Sequence, residues 1–559
     1  MKVLFAALHL AYYRNFESVV RRLAECGHAV HLTADEPETL GGRELAERLA
    51  AQYETVTWGH LPSLEAEPWF DAARRLRESL DYVRVLDPRY PDKLRLRAEE
   101  RAARVVRGLT QVPGGAWIAG RALKGFERAL PVSTGLRAYL ERERPDLVVL
   151  TSLTYSRSQQ LDVLRAARSL GIPVAAAIMS WDHLSSKALL HVAPEVVIVW
   201  NEVQRQEAVE MHGLPAERIV STGAQCYDQW FGRTPARDRE TFCRSVGLRP
   251  DRPIVLWVHS ALSPTPVPPE PVLVQRWIEA LRASADPRLR DVGVLVRGHP
   301  ERMKEWTGID LSRFENVAFH GGNPIDAERK DDYFDALFHS SAVVGLVTSA
   351  FLEAAVVGRP VMTITLPEYR QHQDEMIHFR YLRTVAGGVL HTAPDLPAHL
   401  SQLAEAVTQG ERDERNRRFV SAFVRPAGID VPATPAFVDA LEQAARLTAP
   451  AAAPAPWYQG AAVAVASRSD SAVGRWLMND KRADLWDEDT DNRTRLRRHR
   501  EERKAEFHAT KVRRNEQQAR RDRIQDAWKS VRSTVRKLRH RAAVSVHRAL
   551  HVMRLRRMN

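Results

Sequence analysis

Val347-Thr348-Ser349-Ala350-Phe351-Leu352-Glu353-Ala354-Ala355-Val356-Val357-Gly358-Arg359-Pro360-Val361 follows an apolar run, Ala342 to Leu346, and precedes another, Val361 to Thr365. The pattern predicts strand, turn, short helix and strand. Gly358 and Pro360 stop the helix, as glycine past a helix end and proline beyond it commonly do. Small hydroxyl residues at a strand-to-helix turn leave backbone N–H groups pointing outward. Such a helix start attracts an anion, a diphosphate in particular. Glu353, one turn on, is placed to accept hydrogen bonds from ribose hydroxyls. The plainer alternative is a βαβ unit with a serine N-cap.

Working outward, the same alternation fills most of the 559 residues. Strand-like runs fall at Val3–Leu8, Ala29–Thr33, Leu147–Thr151, Val174–Ile178, Val196–Trp200 and Ile219–Thr222. A second set falls at Ile254–His259, Val292–Arg297, Val317–His320, Ala342–Leu346 and Val361–Thr365. Several are unbroken in Val, Leu, Ile and Ala, as strands covered on both faces require. Amphipathic helices fit between them. The expected fold is α/β: two Rossmann-like domains facing a cleft, plus a basic helical tail at the C-terminus. The expected boundaries are 1–230 for an acceptor domain, with a helical insertion at about 61–131, and 231–448 for a nucleotide-donor domain. A Pro/Ala-rich linker and low-order segment follow at 449–490, and the tail at 491–559.

Charge is uneven. The net is +12, yet residues 491–559 hold 23 Lys+Arg against 7 Asp+Glu, so the preceding 490 residues are slightly acidic. Within the tail, Ile524, Trp528, Val531, Val535, Leu538 and Ala542 form a helical seam among basic residues. That pattern suits an anionic membrane surface. A partner helix and a solvated, disordered tail are the other readings, and nucleic acid is the less favoured partner.

Three cysteines without C-x-x-C spacing argue against disulfides and a zinc site, and a reducing cytoplasm is the expected compartment. No apolar run is long enough to span a membrane. The N-terminal Met1–Leu10 reads as a buried first strand rather than a signal, because no small-x-small site follows it. No metal signature is present; the acidic string Asp487-Glu488-Asp489 lies beyond the linker. The chain lacks G-x-G-x-x-G after its first strand, a P-loop and a G-x-S-x-G elbow. These absences count against dinucleotide oxidoreductases, P-loop NTPases and serine hydrolases.

In such folds ligands bind at the carboxyl ends of strands. In the second half those ends carry Arg297 and His299, suited to clamp phosphate oxygens, and Gly321, which lets a backbone approach a base or sugar. Thr348 and Ser349 follow. In the first half they carry His9 and Asp182. A general base for an acceptor hydroxyl must face the donor, so His9 is the first candidate and Asp182 the second.

The chain resembles GT-B-type glycosyltransferases, near the bacterial CDP-glycerol glycerophosphotransferases and UDP-GlcNAc 2-epimerases. The resemblance is carried by Ser180-Trp181-Asp182-His183-Leu184-Ser185-Ser186-Lys187, by Val199-Trp200-Asn201-Glu202 through Gln225-Cys226-Tyr227-Asp228, by Arg297-Gly298-His299-Pro300, and by Thr348 to Val361. It implies that Thr348-Ser349 holds a donor diphosphate, that Glu353 holds a ribose, that His299 contacts phosphate, and that His378 faces the same cleft. The first-domain catalytic signature of the glycerophosphotransferases and the acid-rich set of the epimerases find no match, which leaves the donor and the reaction class open.

The leading expectation is a metal-independent transferase of GT-B type without a resident cofactor. It would move a glycosyl or glycerophosphoryl group from a nucleotide-activated donor to a glycan or lipid-linked acceptor in surface polysaccharide or glycolipid biosynthesis, peripheral to the inner face of the plasma membrane. The alternatives are a UDP-sugar 2-epimerase-like enzyme and a non-catalytic nucleotide- or glycan-binding scaffold.

Overall fold

The computed structural model describes residues 1–35, 41–65, 67–156, 158–262, 268–324, 326–409, 414–450 and 454–467. The basic tail and its seam lie outside the described residues.

Two parallel sheets organise the chain. The first has seven strands: β1 (Lys2–Ala7), β2 (Ala29–Ala34), β3 (Val56–His60), β4 (Leu147–Leu150), β5 (Val174–Ala177), β6 (Val196–Val199) and β7 (Ile219–Ser221). The second has six: β8 (Ile254–Val258), β9 (Gly293–Arg297), β10 (Val317–Phe319), β11 (Ala342–Gly345), β12 (Val361–Ile364) and β13 (Leu390–Ala393). Their spatial orders are β3-β2-β1-β4-β5-β6-β7 and β10-β9-β8-β11-β12-β13. These are two Rossmann-like domains. The unbroken apolar runs form strands buried along their whole length, as in β4, β5, β6, β8, β11 and β12. β3 and β13 went unread in the sequence. Both are sheet-edge strands of mixed polarity, Val-Thr-Trp-Gly-His and Leu-His-Thr-Ala.

Each strand order reverses once, between β1 and β4 and between β8 and β11. A crevice opens at such a reversal, outside the carboxyl ends of the strands. The two reversals are pinned alike. Leu8 N–H donates to Ser152 Oγ at 3.2 Å, and Val347 N–H donates to Ser260 Oγ at 3.0 Å. Gln160 accepts from the Ser152 amide at 2.8 Å, and Glu270 accepts from the Ser260 amide at 3.0 Å. Burial pushes the Glu270 carboxyl up to about 8, against the hydrogen bonds from Ser260 and Trp257.

Between β3 and β4 run five helices, Phe70–Val85, Asp92–Arg101, Arg104–Leu109, Gly115–Ala129 and Thr134–Glu143, of which the first four make up the insertion. Several of their apolar side chains, Tyr82, Leu94 and Val106 among them, join one core cluster with Trp181, Trp200 and Tyr227. The insertion is therefore packed structure rather than a solvated layer. Helix Ala433–Ala445 returns to the first sheet, where Phe437 meets Phe16 at 6.0 Å between ring centres. Its start is tied down by Asp228. That carboxylate accepts from Arg425 at 2.7 Å, from the Thr434 amide at 2.8 Å and from the Thr434 hydroxyl at 2.7 Å. Among the described residues no helix is long and apolar enough to cross a membrane.

Asp228 and Arg425 are both nearly enclosed, so removing one partner strands the other. Asp228→Ala should destabilise the chain by about 3–5 kcal/mol, read as a lowered melting temperature in thermal unfolding.

Candidate functional site

The two carboxyl-end crevices meet through one hydrogen bond. The Trp181 indole N–H donates to Ser349 Oγ at 3.2 Å. Trp181 follows β5 and is buried; Ser349 precedes helix Ala350–Val357 and is exposed. Ser349 is not an N-cap by side-chain bonding. The turn instead folds its first donors inward: the Ala350 amide to Thr348 Oγ1 at 3.3 Å, the Phe351 amide to Thr348 O and the Leu352 amide to Ser349 O. The amides of Thr348 and Ser349 donate to no described residue. With the Ser349 hydroxyl hydrogen, they are the donors this turn can offer an anion. That is a smaller set than the fan of helix amides the sequence suggests.

Glu353 accepts a short hydrogen bond from the Tyr333 hydroxyl through Oε2. Burial pushes its carboxyl up to about 7, against the Tyr333 bond and the charge of Arg14. Arg297 is committed elsewhere than the sequence suggests. Its Nη1 donates to Asp332 at 2.7 Å, and its guanidinium lies 5.2 Å from the ring centre of Tyr333. Asp332 also accepts from Arg237 at 2.8 Å and bonds His320 at 3.1 Å. Burial opposes the Asp332 charge, but these three partners hold the carboxyl well below its usual range. Gly321 serves the same arginine. Its φ is +125°, and a Cβ there would sit 2.4 Å from Arg297 Cζ. At Gly321 a guanidinium lies where a base or sugar contact was expected, and at Arg297 Asp332 engages Nη1 while the buried Nη2 has no partner among the described residues. His299 is half-buried and accepts from the Glu301 amide at 3.2 Å through Nδ1. Burial lowers its pKa.

On the first-domain side, Asp182 accepts from Ser180 Oγ at 2.7 Å and from Ser186 Oγ at 2.8 Å. Burial would raise its pKa, but Lys187, His183 and His378 with the Ser180 bond hold the carboxyl far below its usual range. Both carboxylate oxygens, one of which a base would turn to the acceptor hydroxyl, are engaged by serine hydroxyls. His378 lies 5.0 Å edge-on from Trp181, so it faces the same junction. Burial lowers the His378 and His183 pKa values to about 4. His9 ends the turn after β1 and packs edge-on to Tyr12 at 5.6 Å; Tyr12, Tyr155 and His183 continue the contact to Asp182's neighbour.

Further ties close the junction. Arg14 donates to Asn323 at 3.2 Å and Lys330 to Glu17 at 2.9 Å. The Tyr381 hydroxyl donates to Glu207 at 2.8 Å, where burial pushes the carboxyl up to about 7. Tyr333, Asp332, Glu207 and Tyr381 all sit in ordinary amphipathic helices, so no sequence signal singled them out. Among the described residues no group of His, Cys, Asp and Glu could hold a metal ion.

No protein-family model and no curated protein matches the chain. Solved structures similar to it include a glycosyltransferase from Rickettsia africae (10% identity, 80% of this chain and 99% of that one, TM-score 0.48). A UDP-GlcNAc 2-epimerase from Neisseria meningitidis bound to UDP-GlcNAc is another (13%, 79% and 100%, 0.46). HepE from Anabaena, in complex with UDP and glucose, is a third (13%, 79% and 100%, 0.40). Glycosyltransferases and UDP-GlcNAc 2-epimerases are the enzymes toward which the motifs pointed. Below a TM-score of 0.5 the likeness adds nothing to the two-domain fold that the strand order already shows.

A carboxyl whose folded pKa exceeds its unfolded value stabilises the fold in its protonated form. For Glu353 that contribution is complete below pH 4.5 and is lost as pH rises through about 7. Glu353→Gln should remove up to about 3 kcal/mol of pH dependence across that window. The difference between wild-type and variant urea-unfolding profiles from pH 4 to 8 isolates it from Glu207 and Glu270.

Proposed function

We propose that the chain is a nucleotide-sugar-type transferase. Residues 231–448 would bind a nucleotide-activated donor, and residues 1–230 would bind the acceptor. The observation that carries this reading is the Trp181–Ser349 hydrogen bond. It sets the loop after β5 against the helix start after β11, so two carboxyl-end crevices share one junction.

In this reading the donor diphosphate lies on the Thr348 and Ser349 amides and hydroxyls, with His299 as a further donor. Preorganised donors of this kind stabilise charge as it develops on the departing nucleotide. Glu353 accepts from the ribose, sharing its carboxyl with Tyr333. Arg297 acts one step back, through Tyr333. His9 removes the acceptor proton; Asp182 fixes the loop that carries Trp181. No metal or resident cofactor is called on. The group moved is glycosyl or glycerophosphoryl. Surface polysaccharide or glycolipid as the product, and a peripheral place on the inner membrane face, rest on the basic sequence of 491–559.

The test is a thermal-shift panel on the full chain with UDP, GDP, CDP and ADP and their sugar or glycerol conjugates. One nucleotide should raise the melting temperature, since a ligand at 100 times its Kd adds about 2.7 kcal/mol. Ser349→Asp should abolish the shift by placing a carboxylate where the diphosphate binds. Turnover of the matching conjugate should then be lost in His9→Ala, with the nucleotide shift retained. No shift with any nucleotide overturns the donor site; a shift without turnover favours a binding scaffold.

A further inference from the structure

The outer face of the helical insertion leaves apolar side chains in water. Val105 and Val112 are each 52% exposed, Trp117 is 68% exposed and Ile118 is 48% exposed. Val105 lies on helix Arg104–Leu109. Trp117 and Ile118 lie on helix Gly115–Ala129, which packs against it. Val112 sits in the turn between them. That turn is tight: the Gly115 amide donates to the Val112 carbonyl at 3.0 Å, and a Cβ on Gly115 would sit 2.9 Å from the Val112 side chain. The four apolar side chains thus belong to one compact hairpin of helices.

The second helix divides into two faces. Gly115, Ala119 and Leu123 are buried, the last two in the core cluster that holds Trp181. Trp117, Arg121, Lys124 and Arg128 follow one another at single-turn spacing and are exposed. The Arg121 guanidinium lies 5.2 Å from the ring centre of Trp117. Arg101, Arg104 and Arg107 add to the positive charge, and Glu127 is the single acid between residues 101 and 128. Glu127 is engaged within the fold, by Arg77 at 2.8 Å and Arg165 at 3.4 Å. This stretch therefore offers its surroundings apolar groups and positive charge.

The chain comes back to the insertion after the second domain. The Tyr458 hydroxyl donates to the Gly125 carbonyl at 3.3 Å, and Ala466 of helix Gln459–Ser467 is buried with Trp69 and Ala73. That segment adds exposed Trp457 and Val465. Among the described residues, half of the exposed large apolar side chains thus lie on the insertion or on the segment packed against it. Scattered exposure is ordinary, but a concentration of this kind marks a surface that something covers. Tryptophan and aliphatic side chains among arginine and lysine form the pattern that lies at the headgroup boundary of a bilayer. Anionic lipid supplies the counter-charge. The sequence beyond Ser467 also runs on to the basic stretch 491–559.

We propose that residues 104–124 of the insertion, centred on Trp117 and Ile118, are a docking surface for an anionic lipid bilayer, separate from the basic stretch 491–559. Because Ala119 and Leu123 share a core with Trp181, docking ties the lipid surface to the domain proposed to bind the acceptor. That consequence rests on the transferase reading above; the docking itself does not.

The experiment mixes the full chain with vesicles of phosphatidylcholine alone, or of equal parts phosphatidylcholine and phosphatidylglycerol. Binding is read by cosedimentation, and the contact by hydrogen–deuterium exchange. The chain should sediment with the anionic vesicles, and peptides covering 104–124 should exchange more slowly there than in buffer. Trp117→Gln combined with Ile118→Gln should weaken binding by about tenfold or more, through loss of embedded apolar surface. The melting temperature should not change, because both side chains are exposed. Lys124→Gln should weaken binding about fivefold, and added salt should shrink that difference. Failure to sediment overturns the proposal, as does binding that survives the double substitution. Binding that leaves 104–124 unprotected also overturns it, since the basic stretch alone then holds the vesicle. Protection that grows with protein concentration in the absence of vesicles assigns the face to a second copy of the chain and overturns it too. Vesicle binding with protection, in a chain that responds to no nucleotide, leaves the docking surface standing while the transferase reading falls.

Discussion

A strand buried on both faces has no room for polar side chains except at its ends. β4, β5, β6, β8, β11 and β12 are all of this kind. The chain therefore gathers its chemistry at the carboxyl edges of two sheets, and within each edge at the reversal of strand order. The serine and amide locks at Ser152 and Ser260 show what this demands. Where neighbouring strands send their loops in opposite directions, backbone amides lose sheet partners. A buried amide left unpaired is costly, so a side chain must supply the acceptor. Both domains met the need with a serine backed by an amide or carboxyl from the next helix.

Joining the two edges requires polar contacts that are enclosed yet matched. Trp181 suits this well: its ring fills an apolar gap while its single N–H reaches Ser349. The Tyr381–Glu207 contact works in the same way, an aromatic body with a hydroxyl tip meeting a carboxyl that burial keeps near neutrality. Asp228 is an ionic knot, holding Arg425 and the start of the returning helix. The junction is thus tied by aromatic hydrogen bonds and by ion pairs, Lys330–Glu17 among them. Hydrogen bonds of modest net strength near a cleft are compatible with opening and closing around a ligand; a buried ion pair is better suited to a fixed hinge.

The sequence discloses what depends on local pattern. Apolar runs, several of them unbroken, announced eleven of the strands, and the edge strands β3 and β13, which mix polar and apolar residues, escaped. The strand-end positions of Asp182, Ser349 and Glu353 were readable for the same reason. Their partners were not. Trp181 and Ser349 are 168 residues apart. Tyr333, which holds Glu353, lies in a helix whose pattern asks only for a core residue.

Arg297 shows the limit most sharply. Arg-x-His-Pro at a strand end reads as a phosphate clamp, because the residue type and place are right. Yet Asp332 lies on a helix that passes the same strand end, and it engages one arm of the guanidinium, Nη1. Gly321, at φ +125°, leaves the space that the guanidinium beside Tyr333 occupies. Tyr333 in turn is the next residue after Asp332, so one helical turn fixes both the arginine and the tyrosine that holds Glu353. A single carboxylate thus orders a chain that ends at the proposed ribose contact. In the proposed function the arginine's contribution, made through Tyr333, is to hold a hydrogen-bonding geometry in place.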